Sequence, residues 1–206
     1  MNVKKILSLV ASTIKLIIIL ILFISNSKAE EKNIKYYSED KGILSLMYHR
    51  FNENKYPSTN IRMDVFKQQI EIIKNLKYNF YNPGDLEKNF YTTKVEKKIL
   101  LTIDDAFSSF YENAWPYLKK EKIPFILFVS TESVGNNGYM TWKQIKEIEK
   151  EPEVYIGNHS HTHGYLVDVK NQEFIDDIDT ASSIFNEKLG YNPIFFPTLL
   201  ENTVHL

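Results

Sequence analysis

Short apolar runs alternate with segments of helical spacing along most of this chain, and few folds accommodate that alternation. Continuous apolar runs bounded by polar residues predict buried strands. They occupy Ile43–Tyr48, 98–104, 123–130 and Val154–Asn158, and a further strand begins at 193–196. Between them, apolar residues three or four apart predict helices over 64–76, around 108–120, over 141–150 and over 172–189. Asp64 is the expected N-cap of the first helix.

Strands and helices in this order predict an α/β fold, in which parallel strands are covered by helices. In such sheets the functional side chains collect at the carboxyl ends of the strands. Polar residues follow three of the predicted strands directly. These residues are His49 and Arg50, then Asp104 and Asp105, then a tract of histidines at 159–163. We therefore expect acids and imidazoles along one rim of the sheet.

The aspartate pair has two interpretations. Asp104 and Asp105 are adjacent, so in an extended chain their side chains point in different directions and are expected to have different roles. One would bind a metal ion while its neighbour faces a substrate. The alternative is that one of them caps a helix that begins near Phe107. The apolar strand that precedes the pair favours the first interpretation.

The histidine tract reads His159-Ser160-His161-Thr162-His163. His159 and His163 are four residues apart, so a helical or tight turn brings both imidazoles to one side. Two imidazoles and one carboxylate match a catalytic divalent-metal site that leaves positions open for water and substrate. The zinc-protease pattern is absent, because Ser160 stands where its glutamate would be. The alternative is a solvated loop that binds metal fortuitously.

Other polar residues near these motifs are weaker candidates. His49 either lines the same rim or hydrogen-bonds within its own loop, and we favour the loop. Ser160 and Thr162 are expected to orient the histidine loop, because no Gly-x-Ser-x-Gly elbow surrounds them.

Composition excludes several classes of protein. The 206 residues include no cysteine, which excludes a disulfide framework, a thiolate zinc site and a cysteine nucleophile. A formal net charge of −1 lacks the basic excess that a nucleic-acid partner requires. The length suits one domain, and it falls short of the roughly 250 residues of a complete eightfold barrel.

Residues 1–29 are typical of a secretory signal peptide, with lysines at the start, an apolar stretch, and small residues at Ser27 and Ala29. The alternative is an uncleaved membrane anchor, against which Lys15 argues by interrupting the apolar stretch. Both interpretations predict export to the periplasm, the cell envelope or the medium, and only the anchor predicts membrane association. Removal of the segment leaves 177 residues with 21 basic and 26 acidic side chains, a net charge of −5.

The two polar motifs resemble those of the polysaccharide deacetylase family, the NodB-type carbohydrate esterases. The stretch 102–106, Thr-Ile-Asp-Asp-Ala, is similar to the first family motif, which often reads Thr-Phe-Asp-Asp-Gly. The tract 159–163 is similar to the second, His-Ser/Thr-x-x-His. The supporting similarities lie at 46–51, 123–129 and 138–142. The resemblance covers roughly 43–196.

This resemblance implies a distorted, incomplete (β/α) barrel and a metal-dependent hydrolase that removes acetyl groups from N-acetylated sugars of a polysaccharide. It implies that Asp104 is the general base and that Asp105, His159 and His163 bind a divalent metal. Zinc is the expected metal, with cobalt, nickel and iron as alternatives. One alternative function is an inactive secreted remnant that binds metal or glycan. Another is an O-acetyl esterase or other non-peptide amidase.

The sequence departs from the family pattern at two places. Ala106 replaces the usual glycine, which we expect to be mild provided that the turn has no positive φ. From Pro197 onward the chain lacks the family's later elements, including a Leu-x-His that supplies the general acid, and His205 is not assigned that role.

One nucleotide inserted in the thymine run that encodes 195–196 would restore an aromatic-Pro-aromatic-Gly segment, for one choice of synonymous codons. We therefore hypothesise that 197–206 is an atypical, out-of-frame tail, which the gene sequence tests. The predicted organisation is a signal peptide at 1–29, an extension at 30–42, the incomplete deacetylase domain at 43–196, and the tail.

Overall fold

The computed structural model describes residues 42–86, 96–164 and 170–197. The predicted signal peptide, nearly all of the predicted extension and the tail beyond Pro197 lie outside the described residues. Within those three ranges, none of the helices is long and apolar enough to cross a membrane.

The described strands form a parallel sheet and a small two-stranded pair. The strands are β1 (Ile43–Tyr48), β2 (Arg50–Phe51), β3 (Asn60–Ile61), β4 (Asn79–Phe80), β5 (Lys98–Ile103), β6 (Phe125–Val129) and β7 (Val154–Asn158). Strand β5 pairs with three others: with β1 along its whole length, with β4 at its start and with β6 at its end. Strand β7 pairs with β6, and β2 pairs with β3. Within the described residues the sheet stays open, as expected of an incomplete barrel.

Helical segments connect these strands. They are α1 (Met63–Asn75), a 3-10 turn (Pro83–Asp85), a π-helical turn (Phe110–Ala114) that continues into α2 (Trp115–Glu121), α3 (Trp142–Ile148) and α4 (Asn171–Leu189). The helix predicted around 108–120 is therefore not regular. Thr141 caps α3 through a reciprocal capping box with Gln144, which explains why the sequence predicts its start correctly.

The predicted N-cap of α1 is wrong. The helix begins one residue earlier than predicted, at Met63, and Arg62 occupies the cap position without a side-chain cap. Asp64 lies instead in the first turn, where its carboxylate accepts a hydrogen bond from Arg62 Nε at 2.9 Å. A carboxylate in this first turn is also favoured by the helix dipole, so the sequence signal for a helix start survives the shift.

The hydrophobic core lies between the sheet and its helices. All five residues of β6 are buried, which fits a central strand with both faces covered. Phe110, Phe125 and Trp115 pack with ring centroids 5.4 to 5.9 Å apart in edge-to-face arrangements. The chain therefore has an apolar core directly behind the ends of β5 and β6.

Two strand predictions differ from the structure. Strand β1 is half exposed rather than buried: Leu44 and Met47 retain 53% and 56% of their accessible surface, because β1 lies at one end of the described sheet and only alternate residues face the core. The segment 193–196 is not a strand. It nevertheless runs beside β7, where the Asn158 N–H donates to the Phe195 carbonyl at 2.8 Å.

Candidate metal centre

The four residues predicted for the site meet at the carboxyl ends of β5 and β7. His159 Nε2 lies 3.7 Å from Asp104 Oδ2 and 3.4 Å from Asp105 Oδ1. His163 Nε2 lies 3.0 Å from the same Asp105 oxygen. The two imidazole rings meet edge to face, with centroids 4.5 Å apart. Parallel pairing of β5 with β6 and of β6 with β7 produces this convergence, because it aligns their carboxyl ends.

Asp105, His159 and His163 form a group with the geometry of a metal centre. Each offers one ligand atom, and these atoms all lie within 4.8 Å of one another. One carboxylate oxygen and two imidazole nitrogens are the ligands of known catalytic zinc sites that leave a position for water. His159 directs Nε2 at the group, while its buried Nδ1 has no hydrogen-bond partner among the described residues. The donor set therefore fits a divalent metal.

The electrostatics of the group favour the protonation states that bind metal. Burial lowers the pKa of His159 to about 4; the Asp105 charge opposes this shift and the charges of His163 and His49 add to it. Burial raises the pKa of Asp105, but a hydrogen bond from His163 and the neighbouring imidazole charges lower it overall. At neutral pH the site thus holds a neutral His159 and an ionised Asp105, as metal binding requires.

The aspartate turn has an unusual backbone. Asp105 and Ala106 both have positive φ, at 69° and 53°, in the left-handed region. The replacement of glycine by Ala106 was expected to be mild only if the turn had no positive φ. Ala106 has a positive φ, so the replacement places an alanine in a conformation that favours glycine. Phe107 pairs with Tyr139 in an isolated antiparallel bridge, and helical backbone begins at the next residue, Ser108.

The histidine loop is a tight turn stabilised by side chains. The N–H of Ser160 donates to Asn158 Oδ1 at 2.8 Å, and the N–H of His163 donates to Ser160 Oγ at 3.1 Å. Ser160 and His163 adopt positive φ values of 69° and 57°. Ser160 thus makes the orienting contact that the sequence predicts, and the turn brings both outer imidazoles to one side. The Thr162 hydroxyl donates to Asp177 on α4, at 2.7 Å.

A cavity of about 410 Å³ opens beside the centre. It is lined by His49, Asp105, Phe107, Tyr139 and His163, among others. The favoured interpretation of His49 as a loop residue is therefore incomplete, since His49 also lines the cavity. This volume falls within the range of small-ligand pockets, roughly 300 to 1,000 Å³.

Two residues near the site were given no role from the sequence. The Arg50 guanidinium lies 3.4 Å from the ring centroid of Phe107 and 4.1 Å from that of Tyr56, and Arg50 Nη1 pairs with Glu53 at 3.1 Å. Asp177 contacts the histidine loop from α4. Arg50 follows the end of β1 and was therefore detectable by position. Asp177 had no local signal, because its partners are distant in sequence.

The fold and the site together define an α/β protein with an Asp/His/His centre at the carboxyl ends of parallel strands. Residues 92–198 match the sequence profile of the polysaccharide deacetylase family. The match covers more than half of the chain, and the chain belongs to this family. The family predicted from the motifs and the α/β fold class predicted from the alternation of strands and helices are thus confirmed.

Known proteins of similar sequence and structure agree with this assignment. The poly-beta-1,6-N-acetyl-D-glucosamine N-deacetylase of Staphylococcus epidermidis is 24% identical over 178 residues, covering 77% of this chain and 62% of that protein. The protein of the same name from Staphylococcus aureus is 26% identical over 153 residues, covering 63% and 51%. IcaB from Ammonifex degensii has a TM-score of 0.69 at 28% identity, over 75% of this chain and 72% of that one. The chain spans less than two thirds of the length of either staphylococcal relative.

Proposed function

We propose that this protein is an exported, metal-dependent hydrolase that removes acetyl groups from N-acetylated sugars of a polysaccharide. One observation carries the proposal: the buried carboxylate of Asp104 lies beside a centre of Asp105, His159 and His163 at the edge of an open cavity. Hydrolysis of an amide at neutral pH requires an activated water and a base within reach of it. A metal ion held at the centre would activate the water, and Asp104 lies close enough to act as the base.

Asp105, His159 and His163 would hold the divalent ion, which we propose to be zinc because of the imidazole-rich donor set. When bound, such an ion lowers the pKa of water to about 7 and polarises the acetyl carbonyl. Cobalt, nickel and iron suit the same nitrogen and oxygen donors and remain alternatives.

Asp104 is the proposed general base. The residue is 3% exposed, and its Oδ2 lies 3.7 Å from His159 Nε2. The left-handed turn that follows directs Asp105 toward the histidines, so the two adjacent carboxylates can serve different roles. Asp104 would accept the proton of the attacking water at a carboxylate oxygen.

His49 is the proposed proton donor to the leaving amine. It follows β1 and lines the cavity together with Asp105 and His163. Its charge acts on both Asp105 and His159, which places it electrostatically within the site. Imidazole is a common general acid, and proton donation to the leaving amine is the step that this role would supply.

The cavity suggests the class of substrate. Phe107 and Tyr139 present aromatic rings to it, with centroids 4.8 Å apart, and aromatic rings offer the apolar contact area on which a sugar ring can pack. The names of the staphylococcal relatives specify a β-1,6-linked N-acetylglucosamine polymer. We propose a neutral N-acetylated polysaccharide of this type, which the signal peptide predicted at 1–29 would allow the protein to meet outside the cytoplasm.

Acetate release from N-acetylglucosamine oligomers tests the proposal. The full chain, stripped of metal and then supplied with zinc or cobalt, should release acetate only when loaded. Asp104→Asn should reduce the rate by about 10²- to 10⁴-fold while it still binds zinc. Asp179→Asn, an exposed control on α4, should match the parent.

Equal rates for the parent and Asp104→Asn would contradict the proposed base. Zinc binding without acetate release from any oligomer would favour the binding remnant over the enzyme. Release from O-acetylated but not from N-acetylated oligomers would favour the esterase alternative.

A further inference from the structure

Asp177 contacts the centre of the histidine loop from outside the metal site. It lies in the second turn of α4, and its carboxylate accepts three hydrogen bonds from two consecutive residues of the loop. The N–H of His161 donates to Oδ2 at 2.7 Å. The N–H and the hydroxyl of Thr162 donate to Oδ1 at 3.0 and 2.7 Å. Both carboxylate oxygens thus accept hydrogen bonds from the stretch that separates His159 from His163.

The opposite side of the same stretch is held by the segment after β6. Ser130 Oγ donates to the His161 carbonyl at 2.9 Å, and the Glu132 N–H donates to the same oxygen at 3.1 Å. The Thr131 N–H donates to the Ser160 carbonyl at 3.2 Å. The peptide groups in the middle of the loop are therefore fixed between β6 and α4, and Asp177 supplies the α4 side.

The loop needs such restraint because its backbone is strained. Ser160 and His163 have left-handed φ values, which cost a non-glycine residue about 1 kcal/mol or more each. Strained conformations persist only where the surrounding contacts determine them. The spacing of the two metal-facing imidazoles depends on these dihedral angles, because His163 is itself one of the strained residues.

The charge of Asp177 makes it suited to this role. Burial raises the pKa of Asp177, but the hydrogen bonds from His161 and Thr162 lower it overall, so the carboxylate is ionised at neutral pH. Hydrogen bonds to an ionised acceptor are shorter and stronger than those between neutral groups. An amide in the same place would keep the shape of the side chain but replace one acceptor oxygen with an NH₂ group.

We propose that Asp177 is a positioning residue that sets the distance and orientation between His159 and His163, and thereby the metal affinity of the centre. This inference rests on the proposed function for the presence of a metal. The restraint itself is a property of the metal-free chain. Removing such an outer partner from a metal site lowers metal affinity by about 10- to 100-fold.

Zinc affinity of the full chain tests the proposal. In competition with a chromophoric chelator, Asp177→Asn should bind zinc about 10- to 100-fold more weakly than the parent. The visible absorption of the cobalt-loaded protein should also change, because it reports the arrangement of the ligands. The matched control is Asp179→Asn, two residues along the same helix and exposed, which should leave both readouts unchanged. Parental affinity and an unchanged cobalt spectrum in Asp177→Asn would overturn the proposal.

Amide hydrogen exchange of the metal-free protein separates this inference from the proposed function. Asp177→Asn should lose protection at the amides of His161 and Thr162, and unchanged protection there would overturn the restraint. A parent that binds no zinc would refute the proposed function, while the exchange result would still decide the restraint. If Asp177→Asn fails to fold, Thr162→Val removes one of the three hydrogen bonds and should weaken zinc binding by about fivefold.

Discussion

The loops after β5 and β7 meet at one site but are held in place by different forces. The turn after β5 is fixed by backbone contacts and apolar packing. The Asp104 N–H donates to the Tyr48 carbonyl at 2.8 Å, and the Met140 N–H donates to the Ala106 carbonyl at 2.8 Å. Ala106 is 1% exposed, so the turn also packs against the hydrophobic core.

The loop after β7 has backbone contacts too, but it relies on polar side chains in addition. Its shape depends on Ser130, Asn158, Ser160 and Asp177, each of which hydrogen-bonds to the loop backbone. The turn after β5 is therefore fixed by backbone hydrogen bonds and packing. The loop after β7 depends in addition on side-chain hydrogen bonds, whose strength varies with charge and geometry. A change of pH or of one polar residue should affect the β7 loop more than the β5 turn.

Removal of a ligand from either loop should produce the largest effect. Structural zinc sites with four ligands bind with about 10 to 16 kcal/mol, so one ligand contributes about 2.5 to 4 kcal/mol, or roughly a hundredfold to a thousandfold in affinity. Asp105→Ala and His159→Ala should each lose that amount in chelator competition. The metal-free melting temperature of each variant is the control for folding. If either variant keeps the parental affinity, its loop does not hold the metal.

Acid should destabilise the metal-free protein through the β7 loop. The folded pKa of His159 is lowered from 6.5 to about 4, mainly by burial. Between these values the unfolded chain binds the proton and the folded chain does not, so stability rises with pH. Lowering the pH from 6.5 to 4 should therefore remove about 3 kcal/mol from the free energy of unfolding.

Urea unfolding of the metal-free protein at several pH values measures this loss. His159→Ala removes the titrating group and should show a shallower pH dependence over the same window, whatever its stability at pH 7. An equal slope in the parent and the variant would place the pH dependence elsewhere in the molecule.

That 104–105 and 159–163 lie at one rim could be predicted from the sequence, because strand periodicity and parallel topology place them there. The role of each residue followed from the family resemblance. Their support could not be predicted in the same way. Asp177 is fourteen residues beyond His163 on a helix whose orientation depends on tertiary packing, so no local pattern marks it. The exposure of β1 was missed for a related reason: an apolar run looks the same whether one face or both are covered.

The left-handed backbone of the turn after β5 also could not be predicted from the sequence. Residues with φ > 0 are marked by glycine in most turns, and the turn after β5 has Ala106 at that position. Sequence alone does not distinguish a turn that has lost its left-handed bend from one that keeps the bend under strain. The structure shows the second case, which makes the strain at Ala106 measurable.

Ala106→Gly should change the free energy of unfolding least among these variants. The sign of the change shows whether the turn is strained. The left-handed conformation costs alanine about 1 to 2 kcal/mol relative to glycine, and the buried methyl group contributes about 0.8 kcal/mol. The free energy of unfolding should therefore stay the same or rise by up to about 1 kcal/mol. Ala114→Gly is the matched control: Ala114 is also buried, but its φ is −93°. It should lose about 2 kcal/mol, from the methyl group and the helix propensity of glycine.

Denaturant unfolding of both variants gives the comparison directly. If Ala106→Gly and Ala114→Gly lose the same stability, the turn after β5 carries no backbone strain, and its shape derives from packing alone. Opposite responses would mean that the apolar core holds the turn in its left-handed bend against a local cost. Asp105 would then be directed toward the histidines by sterics, whereas the histidines are directed toward Asp105 by hydrogen bonds.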